Sequence, residues 1–267
     1  MALPFTGLTH PVAVSVDTQG GVYVSDTGNN RVVKLAADSY TQTVVPFTGL
    51  NNLQEVAIGR EGLVFVSAGD STRVMWPQAQ TKTAAPPWQA VSTTEWTGPF
   101  TDVKAPLGVF SDDYPNFWVS DSGNNRVLKY TSQTNAPQVV PFTGLNKPDG
   151  VTCGPSCQAS YVVDTGNNRV LQLTGTNNTQ TVLAFTGLNN PHGVAATYSV
   201  VYVTDGGNNR VVKLTTDSST KTTTEGVLPF AGLNNPTGIA LDVKGDLYVV
   251  DSGNNRVLKL TKDFLGQ

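Results

Sequence analysis

The sequence predicts an all-β fold: a six-bladed β-propeller of four-stranded antiparallel blades, closed by an N-terminal strand that completes the last blade. Three observations predict it. The phrase D-x-G-N-N-R recurs at Asp26, Asp121, Asp164, Asp205 and Asp251, each time followed by an apolar run, with a sixth, altered copy at Ala68-Gly69-Asp70-Ser71-Thr72-Arg73. The arginines that end these copies fall at 31, 73, 126, 169, 210 and 256, a spacing of 41 to 53 residues. A period of about 40 to 45 residues is that of a four-stranded propeller blade. Third, the chain ends one strand short of a full unit while Leu3-Pro4-Phe5 forms an orphan strand at its start, so the two ends complete one blade. Closing the ring removes exposed sheet edges that would otherwise template aggregation. Residues 1–267 therefore form one domain, with blades centred on the loops at 26–31, 68–73, 121–126, 164–169, 205–210 and 251–256.

Each unit opens on an apolar phrase around P-F-T-G-L, as at Pro4 to Leu8, Pro46 to Leu50 and Pro141 to Leu145. Its Phe suits burial between neighbouring sheets, and its Gly supplies the positive φ of a sharp turn. A P-x-G-h-h phrase follows, as in Pro191-His192-Gly193-Val194-Ala195, whose small residues suit the crowded centre of a radial array. The second strand reads Val22-Tyr23-Val24 or Leu247-Tyr248-Val249, with β-branched and aromatic residues on both alternating faces. A sheet packed on both sides requires that pattern. The D-x-G-N-N-R loop then turns the chain; its Asp accepts backbone N–H groups and its Gly and Asn tolerate the left-handed conformation. A third strand, R-V-h-K-L, and a polar linker into a fourth complete the unit.

Charged residues are 14% of the chain and the net charge is −3. Such a surface offers no basic patch for phosphates or anionic lipid, which argues against nucleic-acid partners and membrane insertion. No run approaches the roughly 18 apolar residues of a membrane span. Cys153 and Cys157 flank Gly154-Pro155-Ser156 where other units place a tight turn. They close as a disulfide or remain free thiols; a bridge would point to an oxidising compartment, and a metal site there lacks further ligands in the sequence.

The phrases P-x-G-h-A, L-Y-V-V-D-S-G-N-N-R-V-h-K-L and L-P-F-T-G-L resemble NHL repeats and together cover nearly the whole chain. The pairing of P-F-T-G-L with G-N-N-R-V-V-K-L is also similar to the six-bladed extracellular sensor domains of mycobacterial receptor Ser/Thr kinases. That resemblance implies an extracytoplasmic module, attached to a membrane-anchored protein, that binds a small ligand, an extracellular protein or a cell-wall component. It implies no cofactor and no catalysis by the propeller itself.

Two sets of residues depart from the shared frame and are the candidates for ligand or partner binding. One is the x of each P-x-G phrase: Val12, Gln54, Leu107, Asp149, His192 and Thr237. In a radial array these equivalent positions ring one mouth of the central channel, where propeller ligands usually bind. The other is an extended second unit in which Arg73 to Pro99 spans 26 residues and which carries Trp88 and Trp96. Extra length with clustered aromatics is what a binding loop adds to a rigid scaffold, although drift in one blade would read the same.

Catalytic signatures are weaker. The two histidines, His10 and His192, lie in no metal-ligand motif, and neither a G-x-S-x-G elbow nor a phosphate-binding glycine loop occurs. The expectation is therefore a recognition module with no catalytic residues and no metal. The alternatives are a lyase or hydrolase acting at the channel mouth, in which His192 and Asp149 pair across adjacent blades, and an interaction scaffold, natural or engineered.

Overall fold

The computed structural model describes residues 1–59, 62–75, 95–100, 102–112, 116–131, 136–175 and 177–265. They build six small antiparallel sheets in chain order. Blade 1 comprises β1 (Pro11–Val16), β2 (Val22–Asp26), β3 (Arg31–Leu35) and β4 (Gln42–Val45). Blade 2 comprises β5 (Leu53–Ile58), β6 (Val64–Ala68), β7 (Ser71–Met75) and β8 (Glu95–Thr97). Blade 3 has β9 (Val109–Ser111), β10 (Phe117–Asp121), β11 (Arg126–Tyr130) and β12 (Gln138–Val140). Blade 4 has β13 (Pro148–Cys153), β14 (Ala159–Asp164), β15 (Arg169–Thr174) and β16 (Thr179–Val182). In blade 5, β17 (Pro191–Ala196) leads to β18 (Val200–Asp205), β19 (Arg210–Thr216) and β20 (Thr223–Val227). Blade 6 contributes β21 (Pro236–Leu241), β22 (Leu247–Asp251) and β23 (Arg256–Leu260).

The ring is closed. Each innermost strand packs on that of the next blade, and β21 packs on β1. Buried apolar residues fall into six clusters, one at each blade interface, such as Val24, Val33, Tyr248 and Val250 between blades 1 and 6. The second strands are buried along their whole length in blades 1, 2, 3, 5 and 6, the two-sided burial their composition predicts. Blade 6 is completed from the N-terminus, as expected, but one to two residues earlier than residues 3–5: Ala2 bridges Leu258, Leu3 N–H donates to Val257 O at 2.9 Å and Lys259 N–H to Met1 O at 2.8 Å. The chain turns at Pro4, where Phe5 N–H folds back onto Leu3 O at 2.9 Å, as it does at Pro46 and Pro141 where β4 and β12 end, so the pairing falls on Met1–Leu3.

The recurring loop explains itself through hydrogen bonds. Fully buried Asp26 accepts Thr9 N–H at 2.7 Å, Asn29 Nδ2 at 2.8 Å and Arg31 Nε at 2.6 Å, tying the incoming apolar phrase to the turn. Asp121, Asp164, Asp205 and Asp251 repeat the arrangement. The last Asn of each loop is left-handed, with φ of 47 to 53°, and its Oδ1 accepts a backbone N–H of the following blade, as Asn209 does from Asn235 at 2.7 Å. Asn255 closes the circle by accepting His10 N–H at 2.7 Å.

Blade 2 departs from the reading of a loop of preserved length. Ala68 pairs directly with Ser71, so the turn is a two-residue hairpin, and Arg73 pairs with Val66 rather than with the motif position. From two residues deeper, Arg73 Nη2 still donates to Thr48 O at 3.0 Å, the contact the other arginines make from the loop.

Candidate functional site

The P-x-G phrases are built as bulges. Register breaks between Pro11 and Ala13, Leu53 and Val56, Pro148 and Val151, Pro191 and Val194, and Pro236 and Ile239. A bulge leaves a residue out of the ladder and re-aims its side chain, a common device beside functional sites. The glycines behind them are demanded by close approach: a Cβ on Gly150 would meet His192 O at 2.5 Å, and one on Gly193 would meet Thr237 O at 2.7 Å. The inner strands thus begin almost in backbone contact around the ring.

At this mouth the structure brings together Asp149 and His192 from adjacent blades. His192 Nδ1 lies 2.8 Å from Asp149 Oδ2, and Asn190 Nδ2 lies 2.8 Å from Nε2. The Asp149 carboxylate accepts the Nδ1–H and so orients the imidazole from the neighbouring blade. Both side chains are partly buried, at 17% and 22% exposure. Val12, Gln54 and Leu107 occupy the equivalent half-buried positions, and Gln54 Nε2 donates to Asn52 Oδ1 at 2.9 Å. Thr237 differs: it is buried, and its hydroxyl donates to Val12 O at 2.7 Å, so it joins blade 6 to blade 1 instead of facing the mouth.

Trp88 lies outside the described residues, and Trp96 sits in β8, the outer strand of blade 2, opposite Val74. It belongs to the blade rather than to a loop.

Below the mouth a cavity of about 250 Å³ runs down the channel, bounded by Glu55, Gly150 and Gly193 above and by Val16, Ile58 and Cys153 toward the other end. Glu55 is the residue the sequence reading missed. It stands where the other blades have Ala13, Gly108, Gly150, Gly193 and Gly238, and it is the one ionisable side chain of the lining apart from bridged Cys153. Burial, with Asp149's charge second, holds its pKa well above the usual carboxylate value. The residue keeps some accessible surface, but it is turned toward a narrow lumen. The signal was present in the sequence: a charge at a position otherwise restricted to Gly or Ala.

Hydroxyls knit the same level of the ring. Ser25 Oγ accepts Ala13 N–H at 2.8 Å and donates to Gln54 O at 2.8 Å; Ser67 Oγ accepts Glu55 N–H at 3.1 Å and donates to Leu107 O at 2.6 Å. At the opposite end Cys153 and Cys157 form a disulfide, and Asp112 of blade 3 approaches Cys157 Sγ to 3.1 Å. Among the described residues no helix is long and apolar enough to cross a membrane.

The class this architecture defines is a closed six-bladed β-propeller. Residues 8–35 and 233–260 match the NHL repeat model, which covers the first and last of its repeats. No curated protein matches the chain significantly. Solved structures do, with low identity. A streptogramin B lyase is 16% identical with a TM-score of 0.68, covering 97% of this chain and 96% of that one. A chain of a nidogen/laminin complex is 17% identical with a TM-score of 0.73, covering 90% and 88%. A gluconolactonase from Xanthomonas campestris is 13% identical with a TM-score of 0.73, covering 97% and 88%. At these identities the likeness is one of fold.

Proposed function

We propose that this propeller is a recognition module that binds a small ligand or a protein partner at the P-x-G mouth, as the extracytoplasmic sensor part of a receptor Ser/Thr kinase. One observation carries the binding reading. The residues the blades share are engaged in the frame, whereas Asp149 and His192 are bonded to each other at the opening, on bulges that aim them there. The disulfide and the likeness of the repeat phrases to receptor-kinase sensor domains support the extracytoplasmic assignment. Capture of extracellular or cell-wall material by the immobilised chain, compared with an Asp149→Ala/His192→Ala/Gln54→Ala triple variant, tests it. Retention at least about tenfold weaker in the variant is expected; unchanged retention refutes the mouth as the binding surface.

A second reading is catalytic, and the His192–Asp149 pair favours it: a carboxylate holding Nδ1–H is how a general base is oriented. Against it, Nε2, the nitrogen that would take a proton, is engaged by Asn190 at 2.8 Å. Turnover of a lactone or ester abolished in His192→Ala with binding intact would select this reading.

A further inference from the structure

We propose that the channel cavity is a second binding site, distinct from the mouth, that takes a small organic ammonium ion with its charged head on Glu55 and its apolar tail against the channel wall.

Among the described residues no side chain is hydrogen-bonded or ion-paired to the Glu55 carboxyl. The Val56 N–H supports it, but a buried carboxylate without a cationic partner is costly, and such a group either keeps its proton or waits for a cation. The lining carries no Lys or Arg, and the charge that bears on Glu55 is the Asp149 carboxylate. The field in the lumen is therefore negative. Blades 1, 3 and 6 contribute Ala13, Gly108 and Gly238 at this level and add nothing titratable.

Shape and polarity select the kind of cation. The wall beyond Glu55 is mixed: the half-buried apolar side chains of Val16, Ile58, Phe110 and Leu241 can desolvate a short hydrocarbon tail, and Ser15, Ser111 and Thr152 add hydroxyls among them. A volume of about 250 Å³ equals that of roughly eight waters at ~30 Å³ each, room for a short alkylamine. Position argues for purpose as well. A glycine ring so tight that an added Cβ on Gly108 would fall 2.3 Å from Asp149 O nonetheless accommodates a glutamate in one blade. Features that oppose stability persist mainly where function uses them.

Binding requires the ionised carboxyl: the Glu55 proton passes to buffer as the alkylammonium, still carrying its own three protons, takes its place. Affinity should therefore rise with pH.

Calorimetric titration of the full chain with n-butylammonium chloride tests this. Expected are one saturable site with a Kd at or below about 1 mM, tighter at pH 8 than at pH 5, with proton release revealed by buffers of different ionisation heat. Glu55→Gln should weaken binding by at least about tenfold, and Glu55→Gly, which restores the residue of the other blades, should do the same while staying folded. His192→Ala, at the mouth, should leave it in place, so failure here and failure at the mouth are distinguishable. Absence of saturable binding, equal affinity in Glu55→Gln, or equal affinity for ammonium or potassium chloride would overturn the proposal.

Discussion

Removing residues 1–7 tests whether the ring depends on its clasp. The deletion takes away the two backbone hydrogen bonds Leu3 N–H to Val257 O and Lys259 N–H to Met1 O, and the 2.7 Å contact of the terminal ammonium with Lys259 O. It also removes Leu3, 7% exposed, and partly buried Phe5 from the cluster between blades 6 and 1. Each hydrogen bond contributes about 1 kcal/mol net, and burial of Leu3 contributes about 1.5–3 kcal/mol, with Phe5 adding roughly half as much. The expected loss is about 4–6 kcal/mol. For a domain of this size each kcal/mol lowers Tm by about 2–4 °C, so a fall of roughly 10–20 °C is predicted. Bared β23 becomes an open edge, so self-association should rise as well. Scanning calorimetry of the full chain and of residues 8–267, with Leu3→Ala as an intermediate case, measures it. A fall of less than about 5 °C would refute the clasp as a main contributor to closure.

Three further outcomes follow from named contacts. Glu55→Gln should stabilise the fold in a pH-dependent way. Because the folded pKa lies above the unfolded one, the wild type loses stability as pH rises from about 4.5 toward the folded pKa; urea denaturation at pH 4 and pH 8 should show a larger gain at pH 8. Cys153→Ser/Cys157→Ser opens a loop with a sequence separation of 4 and should cost about 2 kcal/mol by the chain-entropy relation, read as an equal effect of reductant on the wild type and none on the variant. Asn209→Ala should cost about 2 kcal/mol, about 1 for the bond to Asn235 N–H and about 1 for a left-handed non-Asn residue, whereas Asn209→Asp keeps both and should change stability by less than about 0.5 kcal/mol.

Most of the fold was legible because its determinants are local and repeated. Alternating β-branched and aromatic residues mark the second strands, and the D-x-G-N-N-R loops announce their turns; six near-copies made the count. What escaped depends on contacts between blades. The clasp register is set by the partners of Leu3 and Met1, Val257 O and the Lys259 N–H, which lie at the other end of the chain. At the mouth, the six positions were readable as equivalent, but nothing local distinguishes Thr237, bonded to Val12 O, from Gln54. Glu55 was visible as a broken motif and not as a gained charge, since its meaning lies in the cavity it lines.

Blade 2 shows which features of the repeat the ring requires. Its motif Asp is Ala68 and its loop is two residues shorter, yet three of the frame's bonds persist, one through a substitute residue and two through residues the blade keeps. Asp70 Oδ1 accepts Ala105 N–H at 3.0 Å, standing in for the last Asn of the loop as the bond to the next blade. Arg73 reaches Thr48 O, and Ser67 bonds Glu55 N–H and Leu107 O as Ser25 bonds their counterparts. Closure therefore selects for interblade hydrogen bonds and not for the residues that usually make them. A blade that meets those bonds by other means is released from the motif, and blade 2 is where a charge enters the channel. The departures from the repeat are thus coupled: the blade whose frame has been rebuilt is the one that places Glu55 in the channel lining.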